Sequence, residues 1–117
     1  MLIFSSRHRY FFYQGVTDMR KSFDGLSGLI RQNTEHDILS GDVFIFINRR
    51  SDRIKLLMWD VSGFALFYKR LEKGTFKNAV VSPDKTTVEL TWSDLIMLLE
   101  GIEIKQIKRR KRYQKKT

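Results

Sequence analysis

The residues of this chain best suited to chemistry are basic and aromatic side chains set two apart. Arg53 and Lys55 alternate with Leu57 and Trp59, and Phe64, Leu66, Tyr68 and Arg70 follow at the same spacing. In extended strands that spacing puts each set on one face, with Lys69 opposite its neighbours. Arg49 and Arg50 fall in the polar stretch Asn48–Asp52 between two apolar runs, where a hairpin tip is expected. Guanidinium and ammonium groups contact phosphate oxygens and aromatic rings stack on unpaired bases, so the interleaving suits nucleic-acid contact. A plainer reading stands beside it, in which Trp59, Phe64 and Phe67 are core and the basic ends reach past them to water.

A second basic feature lies at the end of the sequence. The formal net charge is +9, and residues 105–117 hold eight of the 22 basic residues and no acid, leaving fourteen basic and thirteen acidic residues before them. The high charge therefore belongs to a tail. Lys108, Arg109, Arg110, Lys111 and Arg112 are its densest part. Such a run repels itself and is expected to be disordered when free, yet it is an electrostatic handle for phosphate. Solvation of the chain end alone is the competing reading.

Catalytic chemistry finds little support. His8 and His36 stand in different segments with no nucleophile or acid motif around either. Asp52 and Asp60 bracket one expected strand, but aspartate at turns has a local hydrogen-bonding reason. The sequence has no cysteine, so thiolate metal sites, disulfides and thiol nucleophiles are excluded. Neither GxxxxGK[ST] nor GxGxxG occurs, which removes the usual phosphate-cradling loops. No cofactor, no metal and no enzymatic activity are expected. The apolar runs Val43–Ile47 and Leu95–Leu99 fall far short of the ~20 residues that cross a bilayer. The first residues lack the order of a signal peptide, and a cytoplasmic protein with no membrane partner is expected.

Positioning these side chains requires strands and helices that the pattern supplies. Arg9–Tyr13 reads as a first strand ending at Gln14-Gly15. Thr17 is placed as a helix N-cap with Asp18 in the first turn. Met19, Phe23, Leu26 and Ile30 then follow at helical spacing, and Gly25 and Gly28 are expected where the helix approaches a sheet. Asp42–Ile47, Arg53–Trp59 and Phe64–Arg70 read as strands joined by short turns, hence an antiparallel meander. Thr75–Val81 and Thr86–Leu90 read as further strands around the turn Ser82–Lys85. Thr91, with Asp94 three residues on, caps a last helix whose apolar face is Leu95, Leu98 and Leu99 and which Gly101 ends.

The fold class that follows is α+β: a single antiparallel sheet of about five strands, a longer helix on one face, a short C-terminal helix and a basic tail. Residues 1–104 are expected to form one domain, with 105–117 outside it. Val43-Phe44-Ile45-Phe46-Ile47 is apolar on both faces, so this strand is expected to be central and covered twice. Either the last helix or a partner subunit covers the second face, which leaves homo-oligomerisation open.

Several blocks carry a resemblance. They are Thr17-Asp18-Met19-Arg20-Lys21-Ser22-Phe23-Asp24-Gly25-Leu26, the run Ser40–Phe46 continuing through Asn48–Leu57, Trp59-Asp60, Phe67–Gly74, and Leu98-Leu99-Glu100-Gly101-Ile102. In this order they resemble the TnpB-type accessory proteins of the insertion sequence 66 family of bacterial transposons, which are distinct from the RNA-guided nucleases sharing that short name. The departures are Ser22 in place of a usual glycine, Val61-Ser62 in place of glycine and aspartate, and Asn78-Ala79 in place of a Trp-Pro pair.

The resemblance implies a role in DNA transposition beside a separate, larger transposase that carries the catalytic acids. It supplies no catalytic residues. Two function classes remain. In the first, Arg49, Arg50, Arg53, Lys55, Lys69, Arg70 and the tail bind DNA, with Arg20 and Lys21 adding a DNA- or partner-facing surface. In the second, the protein orders the transposase complex and has no DNA specificity of its own. Asp24 lies four residues after Arg20, so an ion pair along the helix is a structural alternative for that arginine.

Overall fold

The computed structural model describes residues 4–77 and 82–101. Strand β1 is Tyr10–Tyr13, helix α1 Phe23–Asn33, β2 Val43–Ile47, β3 Arg53–Asp60, β4 Gly63–Arg70, β5 Thr87–Leu90 and α2 Trp92–Leu99. The five strands form one sheet in the order β4-β3-β2-β1-β5. β2, β3 and β4 are the expected antiparallel meander, with Ile45 opposite Leu56 and Leu56 opposite Phe67. β1, however, lies parallel to β2, Phe11 beside Phe44, and antiparallel to β5. The sheet is therefore mixed rather than purely antiparallel. The connection from Tyr13 to Val43 carries α1 across one face, and a long helical crossover is what parallel pairing requires.

β2 is buried along its whole length, as a strand apolar on both faces must be. On one face Val43, Ile45 and Ile47 join Ile54, Leu56 and Met58 of β3, and α2 covers them with Leu95, Leu98 and Leu99. On the other, Phe44 and Phe46 join Phe11, Tyr13 and Leu57 beneath Leu26 and Ile30 of α1. The last helix thus covers the second face within one chain. Each fully buried aliphatic side chain contributes about 1.5–3 kcal/mol, so a few residues suffice to hold each short helix. Tyr10 enters the first cluster whole; its hydroxyl donates to the Ser5 carbonyl at 2.7 Å, and burial pushes its phenol up to about 12. Among the described residues no helix is long and apolar enough to cross a membrane.

The ends of the helices follow local chemistry, with one correction. At α2, Thr91 Oγ1 accepts from the Asp94 backbone N–H and the Asp94 carboxylate accepts from the Thr91 N–H, a complete capping box. Gly101 follows at φ +78, the left-handed conformation that closes helices. α1 begins at Phe23 after Ser22, not at Thr17. Asp18 Oδ1 instead accepts from the Arg20 backbone N–H at 2.9 Å, and the Asp18 carbonyl accepts from the Lys21 N–H at 3.1 Å, so the segment is a turn. Thr75–Lys77 is not strand, and the remainder of that expected element lies outside the described residues.

Two positions give stability predictions. A Cβ on Gly28 would meet nothing within 4 Å, so this glycine does not mark a close helix–sheet approach. Gly28→Ala is expected to stabilise the fold by about 1 kcal/mol. At the β3–β4 turn Val61 sits at φ 54 and is 90% exposed, so a β-branched residue holds a conformation suited to glycine with no packing in return. Val61→Gly is likewise expected to stabilise by about 1 kcal/mol. Either change should raise the thermal midpoint by about 4 °C; an unchanged or lower midpoint would contradict the assignment at that position.

Candidate nucleic-acid interface

The basic residues are organised by the hairpin between β2 and β3. Asn48 builds it: its Oδ1 accepts from the backbone N–H groups of Asp52 at 3.1 Å and Arg53 at 3.0 Å, while its Nδ2 donates to Asp52 Oδ1 at 2.7 Å. That bond holds the Asp52 carboxyl below its ordinary pKa. Ser51 takes a left-handed conformation, φ 58, and its N–H donates to the Asn48 carbonyl. The outer side is tied down as well, with Leu71 N–H on the Asp52 carbonyl and Phe76 N–H on the Ser51 carbonyl. Arg49 and Arg50 are exposed on this braced tip.

Facing the tip is the segment Val16–Arg20, and between them runs an open groove of about 940 Å³. Arg20, Arg49, Arg50 and Arg53 line it against Asp18 and Asp52. The Thr17 N–H donates to the Ile47 carbonyl at 3.1 Å, which pins the segment to the end of β2. Thr17 Oγ1 is buried in the groove wall and has no hydrogen-bond partner. Asp18 binds the Arg20 guanidinium at 2.7 Å. That contact, together with the Arg20 backbone N–H, lowers the Asp18 carboxyl to about 2. Arg20 therefore pairs with Asp18, not with Asp24, and its side chain stays 91% exposed. Exposed pairs of this kind contribute little stability, so the guanidinium is free to exchange partners.

The other basic candidates are placed differently. Arg53 Nη1 donates to the Tyr68 hydroxyl at 3.1 Å. Arg70 lies opposite Arg53 on β4 and pairs at the surface with Glu72. These four residues line a second opening of about 460 Å³ that shares Arg53 with the first. Lys55 is only 5% exposed. Its ammonium donates to the carbonyls of Met19 at 2.7 Å and Lys21 at 2.8 Å and lies 4.7 Å over the Tyr68 ring. Lys69 is on the opposite face of the sheet, where it donates to the Leu99 carbonyl at the C-terminal end of α2, an electronegative position. Lys21 is exposed beside the groove without lining it, and Lys108–Arg112 lie outside the described residues.

The structure thus gathers Arg20, Arg49, Arg50 and Arg53 at one groove with Arg70 adjoining, and directs Lys55 and Lys69 inward to carbonyls. One contributor escapes a reading of the sequence. Thr17 reads as a helix cap, and its groove position depends on the late start of α1. Tyr68, which alternation places on the face of Arg70, is exposed there, whereas Phe64 and Leu66 of the same strand and face pack against the α1 cluster. His36, which reads as a loop residue, bonds Thr87 Oγ1 at 2.8 Å and packs on Phe11. Among the described residues no group of three His, Asp or Glu side chains is placed to hold a metal ion.

Comparison with known proteins gives consistent findings. The family model described as IS66 Orf2 like protein matches residues 8–109. An uncharacterized protein of Sinorhizobium fredii, y4jC, is 31% identical over 94 residues, spanning 80% of this chain and 78% of its own length. A second uncharacterized protein of the same organism, y4hO, is 32% identical over 89 residues, 76% of each chain. No solved structure matches.

The geometry makes Lys55 a test of how the groove is held. Lys55→Met keeps the apolar stem and removes the donors, leaving the Met19 and Lys21 carbonyls unpaired. A loss of about 2–4 kcal/mol is expected, measured by denaturant unfolding. Amide exchange should quicken at Thr17 and Lys21 more than at Phe44–Phe46. Unchanged stability would show that the ammonium does not hold the segment.

Proposed function

This chain belongs to the IS66 Orf2-like family, and from that premise we propose that it is a non-catalytic accessory protein of DNA transposition that contacts DNA through its basic hairpin. The family carries the transposition-associated accessory role. The observation that supports DNA contact is the braced hairpin, which holds Arg49 and Arg50 exposed beside Arg20 and Arg53 in one groove. The body of the chain is nearly neutral, so this clustering is local. Phosphate contacts of this kind fix position and supply affinity without reading sequence. The run Lys108–Arg112 adds a second, sequence-independent anchor.

A second reading, docking to the transposase, draws on the other end of the sheet. There Leu39, 49% exposed, and Val61 line a groove of about 520 Å³ with Met58 and Trp59. Asp60 and Val43 mark this end and Arg53 and Ile47 the hairpin end, so the two surfaces do not compete. A cytoplasmic location fits both readings.

The test is equilibrium binding of the full chain to duplex DNA across a salt series. Affinity should fall linearly with salt on logarithmic axes, with a slope near 0.9 per phosphate contacted. Replacing Arg49 and Arg50 by glutamine should reduce that slope by about 2, and replacing the five residues Lys108–Arg112 by about 4.5. If the full chain binds no DNA at low salt, the DNA reading fails. Capture of the element's transposase by the wild type and its loss in Leu39→Glu/Val61→Glu would then support docking.

A further inference from the structure

The second, smaller opening has a feature that phosphate contact does not use. Tyr68 is 47% exposed on the edge strand β4, yet its ring is fixed from two sides. The buried Lys55 ammonium lies over the ring at 4.7 Å, and Arg53 Nη1 holds the hydroxyl at 3.1 Å. The neighbouring β4 side chains on the same face, Phe64 and Leu66, are half-buried against the α1 cluster, whereas Tyr68 lines the opening with Arg53, Arg70 and Glu72. An exposed aromatic is normally free to change rotamer. Held in this way, the ring is already ordered, so a flat partner stacks on it at little entropic cost. The ammonium over the ring also draws on its π-electrons, which suits stacking against an electron-rich heterocycle.

Charge around the ring points to the same partner. Arg70 lies two residues along β4, about 7 Å away, and Arg53 leads back to the hairpin groove. Among the described residues Glu72 is the one carboxylate lining this opening, and it engages Arg70 through an exposed pair at 3.1 Å. A phosphate displaces such a pair readily. An aromatic platform flanked by guanidiniums is the combination that binds unpaired nucleotides, because every base has a stackable face and every linkage a negative charge. Duplex DNA presents the charge but keeps its bases stacked on one another.

We propose that Tyr68, with Arg53 and Arg70, forms a subsite for an unpaired nucleotide of a DNA strand, so that the protein favours single-stranded over duplex DNA. The base lies on the open face of Tyr68, and its flanking phosphates meet Arg70 on one side and Arg53 with the hairpin arginines on the other. This inference rests on the DNA-binding reading above and adds the strandedness of the ligand.

The experiment uses the full chain with a twelve-nucleotide deoxythymidine strand, a mixed-sequence duplex of the same length, and a uridine ribonucleotide strand, followed by fluorescence anisotropy. Wild type is expected to bind the deoxy strand more tightly than the duplex. Tyr68→Leu should lower affinity for the single strand about tenfold and change duplex binding less than twofold. Tyr68→Phe, which keeps the ring and loses the hydroxyl, should retain most single-strand affinity. Because Tyr68→Leu disturbs the Lys55 contact, a wild-type readout runs beside it. Ultraviolet crosslinking of a strand carrying 5-iododeoxyuridine should place the adduct on Tyr68. Equal affinity for strand and duplex, or crosslinks confined to other residues, overturns the subsite while leaving DNA binding intact. Tighter binding of the ribonucleotide strand overturns DNA as its occupant. Binding of neither DNA form overturns the reading on which the subsite rests.

Discussion

A buried ammonium group is the constraint around which one face of this protein is arranged. Lys55 has three N–H donors and, among the described residues, no carboxylate partner, and taking such a charge out of water is tolerable only when each donor is met. The ammonium donates to the carbonyls of Met19 and Lys21 and lies over the Tyr68 ring. Those carbonyls come from 36 and 34 residues earlier in the chain. Had α1 begun at Asp18, helical bonding would have given the Met19 carbonyl to the Phe23 N–H and the Lys21 carbonyl to the Gly25 N–H. The first helical bond at this end instead reaches the Ser22 carbonyl from Leu26. The late helix start, the groove wall at Val16–Arg20 and the fixed Tyr68 ring share one cause.

Coverage of the sheet explains why basic and aromatic side chains remain open on this face. A helix about 10 Å wide spans roughly two strands at 4.8 Å spacing. α1 sits over Phe44, Phe46 and Leu57, with Phe64 and Leu66 packed at its margin. Five strands exceed what one short helix can roof. The part of β3 and β4 nearest the hairpin is not covered by α1, and there Arg53, Tyr68 and Arg70 occupy the positions that Leu57 and Leu66 fill further along. On the other face α2 is joined by Phe4 and Phe76, so the remaining gap is closed by chain segments and Lys69 is drawn to the end of α2.

Much of this was legible in the sequence, and the failures share a physical origin. The meander, the doubly buried β2 and the Thr91–Asp94 capping box depend on alternation, turn residues and contacts three apart, all of which are local. The parallel placement of β1 was not legible, because nothing in Tyr10–Tyr13 distinguishes a neighbour reached through a hairpin from one reached through a crossover. Lys55 alternates with Arg53 in the pattern of an exposed basic pair, yet carbonyls from a distant turn make it a core residue. Tyr68 shares its pattern with Phe64 and Leu66, and only the placement of α1, which packs beside those two and not beside Tyr68, leaves it open. The arginines at Asn48–Arg53 were found correctly at a hairpin because Asn48 and Asp52 carry that turn in their own side chains.

The division of charge bears on how the two basic regions would cooperate on the proposed reading. Residues 105–117 hold eight basic residues and no acid, and a dense cationic run raises encounter rates and non-specific affinity for any polyanion. Charge alone supplies attraction and does not orient the ligand. The groove arginines are fewer and partly offset by Asp18 and Asp52, but the Asn48 bonds and the Lys55 clamp fix their backbone positions. Electrostatic attraction decays over about 8 Å at physiological salt, so the cluster acts only on a strand already brought close. The tail would then deliver a strand that the hairpin groove orients, and the specificity of the contact would lie with Tyr68 and the braced arginines rather than with the larger charge.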